Sequence, residues 1–228
     1  MALFAMGDLH LSLGTDKPMD MFRGWDGYVE QIEQNWRAAV SPEDTVVIAG
    51  DVSWGMNLPD AAQDFAFIHA LPGKKLILKG NHDYWWTTRR KMETFFADNG
   101  WDSLTFVHND AVLVGDIAVC GTRGWFFDAE SAADKKVLDR EVGRLTASIK
   151  AAEETGGEPV VFLHYPPVYG DSVCEEIMAV LTAHRIRRCF YGHIHGSGIA
   201  RALNGTFRGI EFRLISGDAL AFDPIKIL

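Results

Sequence analysis

Several short apolar runs in this chain each break into a cluster of Asp, Asn or His, and this sets the strongest limit on how it can fold. Leu3–Met6 runs into Gly7-Asp8-Leu9-His10, and Val46–Ala49 into Gly50-Asp51. Leu76–Leu78 leads to Gly80-Asn81-His82-Asp83, Val160–Leu163 to His164, and Cys189–Tyr191 to Gly192-His193-Ile194-His195. Such runs, bounded by turn chemistry, are the pattern of strands buried on both faces. Ile117–Cys120 is another, ending in Gly121-Thr122-Arg123-Gly124-Trp125.

The stretches between them have helical spacing. Trp25, Tyr28, Val29, Ile32, Trp36 and Ala39 recur on one face, and Pro42 follows where that helix should stop. Pro59 with Ala61–Ala70 predicts a second helix, and Thr87–Asp98, Ala132–Glu154 and Ser172–His184 three more. Asn109-Asp110 and Gly115-Asp116 sit between apolar runs and predict hairpin turns. Thr206–Leu228 has strand character. The expectation is one α/β domain over residues 1–228.

Composition narrows the class. With 228 residues, 47% hydrophobic and 23% charged, the chain can build a core without disulfides and is not a disordered protein. No apolar run approaches the roughly 20 residues of a membrane span. Met1–Met6 lacks the basic start of a signal peptide. A net charge of −9, from 22 basic and 31 acidic residues, argues against non-specific binding to nucleic acid or anionic membranes. Cys120, Cys174 and Cys189 form no C-x-x-C pair, so buried free thiols in a reducing cytoplasm are expected.

A lone Asp or His after a strand is usually a turn or cap residue. Five repetitions at the same end of five strands need another reason. In open α/β sheets, ligands bind beyond the carboxyl ends of the strands, so Asp8, His10, Asp51, Asn81, His82, His164, His193 and His195 should gather at one rim. Two or three carboxylates, one amide oxygen and four imidazoles are more ligands than one ion needs. Mixed nitrogen and oxygen donors without thiolate suit Mn, Fe or Zn. A bridging carboxylate can hold two ions about 3.5–4 Å apart.

These motifs, in this order from residue 7 to residue 195, resemble the calcineurin-like metallophosphoesterase family. The resemblance implies a four-layer sandwich, with two mixed β-sheets face to face and helices outside. It implies one metal on Asp8, His10, Asp51 and His195, and a second on Asn81, His164, His193 and the bridging Asp51. His82 would be the non-ligand histidine facing the leaving group. The reaction implied is hydrolysis of a phosphate ester by a hydroxide held between two divalent or trivalent ions, Mn, Fe or Zn.

The chain departs from the protein serine/threonine phosphatases of that family. After Gly50-Asp51 it reads Val52-Ser53-Trp54-Gly55, so that branch's His-orienting Asp and phosphate-binding Arg are missing. Arg123 is the candidate replacement, because Arg suits bidentate phosphate recognition. What orients His82 is left open, and Asp83 beside it would brace the loop. Trp54, Trp85, Trp86 and Trp125 lie in the motif loops with Tyr84, Phe126, Phe127, Tyr165 and Tyr169 beside them. Trp85 and Trp86, next to the Asn81-His82 motif, are expected to wall an aromatic or apolar part of a small phosphorylated substrate. A diester is favoured over a monoester by a narrow margin. A non-catalytic scaffold on this fold would be free to lose ligands, and every one stands here.

Overall fold

The computed structural model describes residues 1–125 and 131–228; Phe126 and Phe127 lie outside them. In chain order the first elements are β1 (Leu3–Met6), α1 (Tyr28–Ala39), β2 (Thr45–Ala49), α2 (Ala62–Ala70), β3 (Lys74–Leu78) and α3 (Arg89–Asp98). Next come β4 (Leu104–Phe106), β5 (Ala111–Val114), β6 (Ile117–Thr122), α4 (Ala132–Glu154) and β7 (Glu158–Leu163). The last are β8 (Val168–Tyr169), β9 (Ser172–Val173), α5 (Glu175–Ala183), β10 (Arg188–Tyr191), β11 (Gly205–Phe207), β12 (Ile210–Leu214) and β13 (Ile225–Lys226).

The strands form two large mixed sheets, ordered β13-β1-β2-β3-β4 and β11-β12-β10-β7-β6-β5. Alternation along each strand explains their stacking. Leu3, Ala5, Val47, Ala49, Leu76 and Leu78 of the first sheet meet Val119, Val160, Phe162 and Phe190 of the second in one buried cluster. The intervening residues Phe4, Met6, Val46, Ile48 and Ile77 face outward onto Ile32 and Trp36 of α1, Phe65 of α2 and Phe96 of α3. On the far side, Cys120, Val161, Leu163 and Cys189 pack on Leu145 and Ile149 of α4 and Ile177 and Leu181 of α5. Apolar residues are therefore needed on both faces of these strands, which is why they read as unbroken runs. The result is the four-layer α/β arrangement expected.

Three local expectations need correction. The clusters end strands of two sheets rather than one: β1, β2 and β3 belong to the first, β7 and β10 to the second. Their carboxyl ends meet because the Gly7 N–H donates to the Ile215 carbonyl at 2.7 Å, just past β12. Asn109-Asp110 is not a hairpin turn, since β4 pairs with β3 and β5 with β6; residues 107–110 carry the chain from one sheet to the other. Gly115-Asp116 does close the β5–β6 hairpin. The helix expected from Ser172 begins at Glu175, because Val168–Tyr169 and Ser172–Val173 pair as a small hairpin of their own. Cys120, Cys174 and Cys189 are free and buried. Among the described residues, no helix is long and apolar enough to cross a membrane.

Candidate metal centre

The turns that leave the strands are tight, and they aim side chains rather than merely reverse the chain. Asp8, His10, Asp51 and His193 all have positive φ, of 57°, 45°, 50° and 73°. Backbone strain of this kind in non-glycine residues persists where the surroundings over-determine it, commonly at functional sites. Glycine at two neighbouring positions lets the carboxylates in. A Cβ on Gly80 would lie 2.1 Å from Asp51 Oδ1, and one on Gly192 would lie 2.3 Å from Asp8 Oδ2.

The side chains converge as two groups. Asp8, His10 and His195 bring ligand atoms within 4.8 Å of one another, and so do Asp51, His164 and His193. In the first, His195 Nε2 lies 3.3 Å from Asp8 Oδ1 and 3.4 Å from His10 Nε2. In the second, His164 Nε2 lies 2.6 Å from Asn81 Oδ1. Asp51 Oδ2 stands between them, 3.7 Å from His10 Nε2 and 3.5 Å from His164 Nε2.

These spacings fit metal ions. Ligands about 2.1 Å from an ion are about 3.0 Å apart at right angles and about 3.4 Å apart at the tetrahedral angle. The tautomers fit too. His164 Nδ1 donates to the Ala49 carbonyl at 3.1 Å, so in the neutral ring Nε2 presents its lone pair to the Asn81 oxygen. Two acceptors that face each other at this distance are reconciled by a cation beside them that both can ligate. His195 Nδ1 donates to Asp218 Oδ1 at 2.8 Å, leaving Nε2 for the site.

The electrostatics point the same way. Burial, and then the charge of Asp8, push Asp51 up to about 8. Burial alone would raise Asp8, but His195, His164 and His10 outweigh it and hold the carboxyl below its usual range. Burial drives His10 down to about 3, and with His164 it drives His193 to about 3. His195 moves the other way, up to about 10, because Asp8 and Asp218 together overcome its burial. Two carboxyl groups buried side by side with His10, His164 and His193, imidazoles that burial keeps neutral, form a site that a cation completes.

Around these groups the loops are braced. Asp83 accepts from the backbone N–H of Asp51 (2.9 Å), Val52 (2.8 Å) and Gly80 (2.7 Å) and from Trp85 Nε1 (3.0 Å). One buried carboxylate thus ties the Asp51 loop to the Asn81 loop. His82 is anchored by its own N–H, which donates to Asp51 Oδ1 at 2.7 Å. Its ring lies 4.5 Å from Trp54, and the Tyr84 hydroxyl is 3.4 Å from Nδ1. Burial, and then His164, keep His82 below the usual imidazole value.

Three expected substrate contacts are placed otherwise. Trp85 is 2% exposed and packs edge-on to Phe65 at 4.8 Å, inside the core. Trp86 is half-buried against Phe106 (5.3 Å) and His108 (5.7 Å). Neither lines the cleft beside the site, which is walled by Trp25 and Trp54 instead. Large aromatic rings following a polar motif were drawn into the α2–α3 side of the core, where burial of their area decides. Arg123 stands behind Tyr165, whose ring is 4.5 Å from His193, but its guanidinium faces Glu141 of α4 at 3.7 Å and overlies Trp125. Among the described residues, its partners are therefore Glu141 and the Trp125 and Tyr165 rings rather than the ligand side chains.

Asp218 was missed by sequence reasoning although its signal was visible. It follows β12 as Ile215-Ser216-Gly217-Asp218, another strand end with Gly-Asp, and its second oxygen accepts from the Gly196 N–H at 2.9 Å.

Known proteins add a family to this geometry. The calcineurin-like phosphoesterase family model matches residues 1–197. A phosphopantetheinyl hydrolase from Mycobacterium tuberculosis superposes with a TM-score of 0.55 at 14% identity, over 100% of this chain and 95% of that one. A protein of unknown function from Aquifex aeolicus gives 0.55 at 15% identity, over 99% and 95%. A Thermus thermophilus protein gives 0.57 at 11%, over 98% and 96%. Identities this low share the fold alone. No curated protein sequence matches the chain. The match over most of the chain, and the strand-end motifs that carry it, make this protein a member of the calcineurin-like phosphoesterase family.

Proposed function

We propose that the chain is a dinuclear metal-dependent phosphoesterase. The observation that carries this is the position of Asp51 Oδ2, 3.7 Å from His10 Nε2 and 3.5 Å from His164 Nε2, between two ligand groups. Asp8, His10 and His195 would hold one ion, and Asn81, His164 and His193 the other, with Asp51 available to both. Mn, Fe and Zn suit the donor set. When bound, such ions supply activated water near neutral pH and offset charge on phosphoryl oxygens.

The chain's own residues do the rest. The bracing of the Asp51 and Asn81 loops by Asp83 holds the shared carboxyl and the Asn81 carbonyl in one arrangement, so a phosphoryl group meets them in a fixed orientation. His82, half-buried at the edge of this rim and anchored to Asp51 through its backbone, offers its ring N–H to the leaving oxygen. Since burial keeps this imidazole below its usual value, it acts from the neutral form as a hydrogen-bond donor when the leaving oxygen gains charge. A diester is the better substrate than a monoester. Its single negative charge needs less cationic help, and Arg123, the expected phosphate clamp, faces Glu141 at 3.7 Å.

The test is turnover of bis(p-nitrophenyl) phosphate and p-nitrophenyl phosphate by protein stripped of metal and reconstituted with Mn. Turnover should need about two ions per chain, vanish with chelator, and have the higher kcat/KM on the diester. Unchanged turnover in metal-free protein would refute the reading.

A further inference from the structure

The rim opens on one side into a cleft of about 440 Å³, a size that holds a small organic ligand. His10, His82 and His195 close its inner end. Its walls come largely from the connection between β1 and α1, where residues 12–27 form neither helix nor strand. Connections of that length in a compact fold are commonly functional.

That connection presents apolar surface beside a polar centre. Phe22 lines the cleft and is 53% exposed. Trp54 continues the wall inward, stacked on His10 at 5.0 Å and 4.5 Å from His82. Trp25 stands edge-on to both His10 and His195 at 5.6 Å. The apolar wall therefore begins one ring's width from the imidazole assigned to the leaving oxygen. The Phe22 ring carries this apolar wall out to the surface.

Charge narrows the occupant. Among the described residues, no carboxylate lines this cleft, and its one formal charge apart from the imidazoles is Arg23, exposed and without an ion pair. Lys17 adds a second cation, its Nζ 4.8 Å above the Trp54 ring. An apolar cleft lined by an unpaired cation, with a second cation over its wall, favours an apolar group with an acidic end and disfavours one with an ammonium end.

We infer that this cleft holds the arm of the substrate attached through the leaving oxygen, an apolar alkyl or aryl arm that ends in an acidic group. The assignment rests on the phosphoesterase reading and adds to it the class of ester. It also moves the apolar wall from Trp85 and Trp86 to Phe22, Trp25 and Trp54.

Calorimetric titration of the Mn-reconstituted protein with phosphonates tests it without turnover. Hexylphosphonate should bind at least tenfold more tightly than methylphosphonate, since each methylene taken from water favours binding. Phe22→Ala should bring the hexyl-to-methyl ratio close to one, and Phe22→Leu should keep most of it. A six-carbon phosphonate ending in carboxylate should bind several-fold more tightly than its amine-ended counterpart, and Arg23→Glu should reverse that order. Methyl and hexyl phosphonates binding equally well to the wild type would overturn the cleft assignment while leaving the metal site intact. The same holds if the hexyl advantage survives Phe22→Ala or the carboxylate preference survives Arg23→Glu. If neither phosphonate nor inorganic phosphate binds the metal-loaded protein, the phosphoesterase reading falls first and the cleft assignment with it.

Discussion

Asp218 Oδ1 accepts a hydrogen bond from His195 Nδ1 at 2.8 Å, while His195 Nε2 faces Asp8 Oδ1 at 3.3 Å. The imidazole is thus held between two carboxylates, one outside the site and one within it. Partners of this kind fix ring orientation and tautomer, and their loss typically costs about 10–100-fold in metal affinity. Asp218→Ala should weaken Mn binding by that factor, measured by competition with a chelator of known affinity, with little change in the melting temperature of the metal-free protein. Wild-type affinity in the variant would show that Asp218 only caps the turn at Gly196.

Asp51→Asn should be the most damaging change among the ligands, because Asp51 Oδ2 faces the Nε2 atom of a histidine in each group. Elemental analysis should find the variant deficient in both metals, whereas His10→Ala and His193→Ala should each lose mainly one. The variant keeps the shape of the side chain, so the fold should survive. Full occupancy with two ions in Asp51→Asn would remove the bridging role.

Metal binding should be strongly pH-dependent, and the sign follows from two groups. With Asp51 pushed up to about 8 and His195 to about 10, both are protonated in the metal-free protein at pH 7. A cation must displace both protons, so affinity rises with pH. The slope should reach up to about tenfold per pH unit for each proton displaced. Below about pH 8 that is up to about a hundredfold per unit, and above it about tenfold. Titrations in buffers of different ionisation enthalpy should report close to two protons released per fully loaded chain. An affinity flat between pH 6 and pH 8 would contradict this.

His82→Ala should lower kcat by about 10²–10⁴, the usual cost of losing an acid–base group, with metal content near wild type. Loss of metal in the variant would make His82 a ligand instead.

The convergence of the candidate ligand side chains was legible in the sequence because each follows closely on a strand, whose end limits where the next few residues point. Asp8, His10, Asp51, Asn81, His164, His193 and His195 all lie within four residues of a strand end. The pairing of strands into two sheets was not legible from spacing, since β4 and β5 are separated by an ordinary turn signal yet belong to different sheets. The side chains around the groups were harder still. Whether Trp85 or Trp54 faces the cleft depends on which ring the α2–α3 layer can cover, a tertiary question that no local pattern encodes.

That difference gives the last prediction. Trp85 is 2% exposed, packs on Phe65, and donates from Nε1 to Asp83, the carboxylate that braces the Asp51 loop. Trp85→Ala removes a core ring, a change that costs about 3–5 kcal/mol. At about 2–4 °C per kcal/mol for a chain of this size, the melting temperature should fall by roughly 6–20 °C. Because the lost hydrogen bond ends on Asp83, metal affinity should fall with it. KM should not separate bulky from small esters, since the ring does not reach the cleft. Trp54→Ala, by contrast, should raise KM for bulky esters far more than for small ones, with a smaller loss of stability. Kinetics on a bulky and a small diester, beside thermal melts of the same proteins, distinguish the two. A KM rise confined to bulky esters in Trp85→Ala, at unchanged melting temperature, would return Trp85 to the substrate wall.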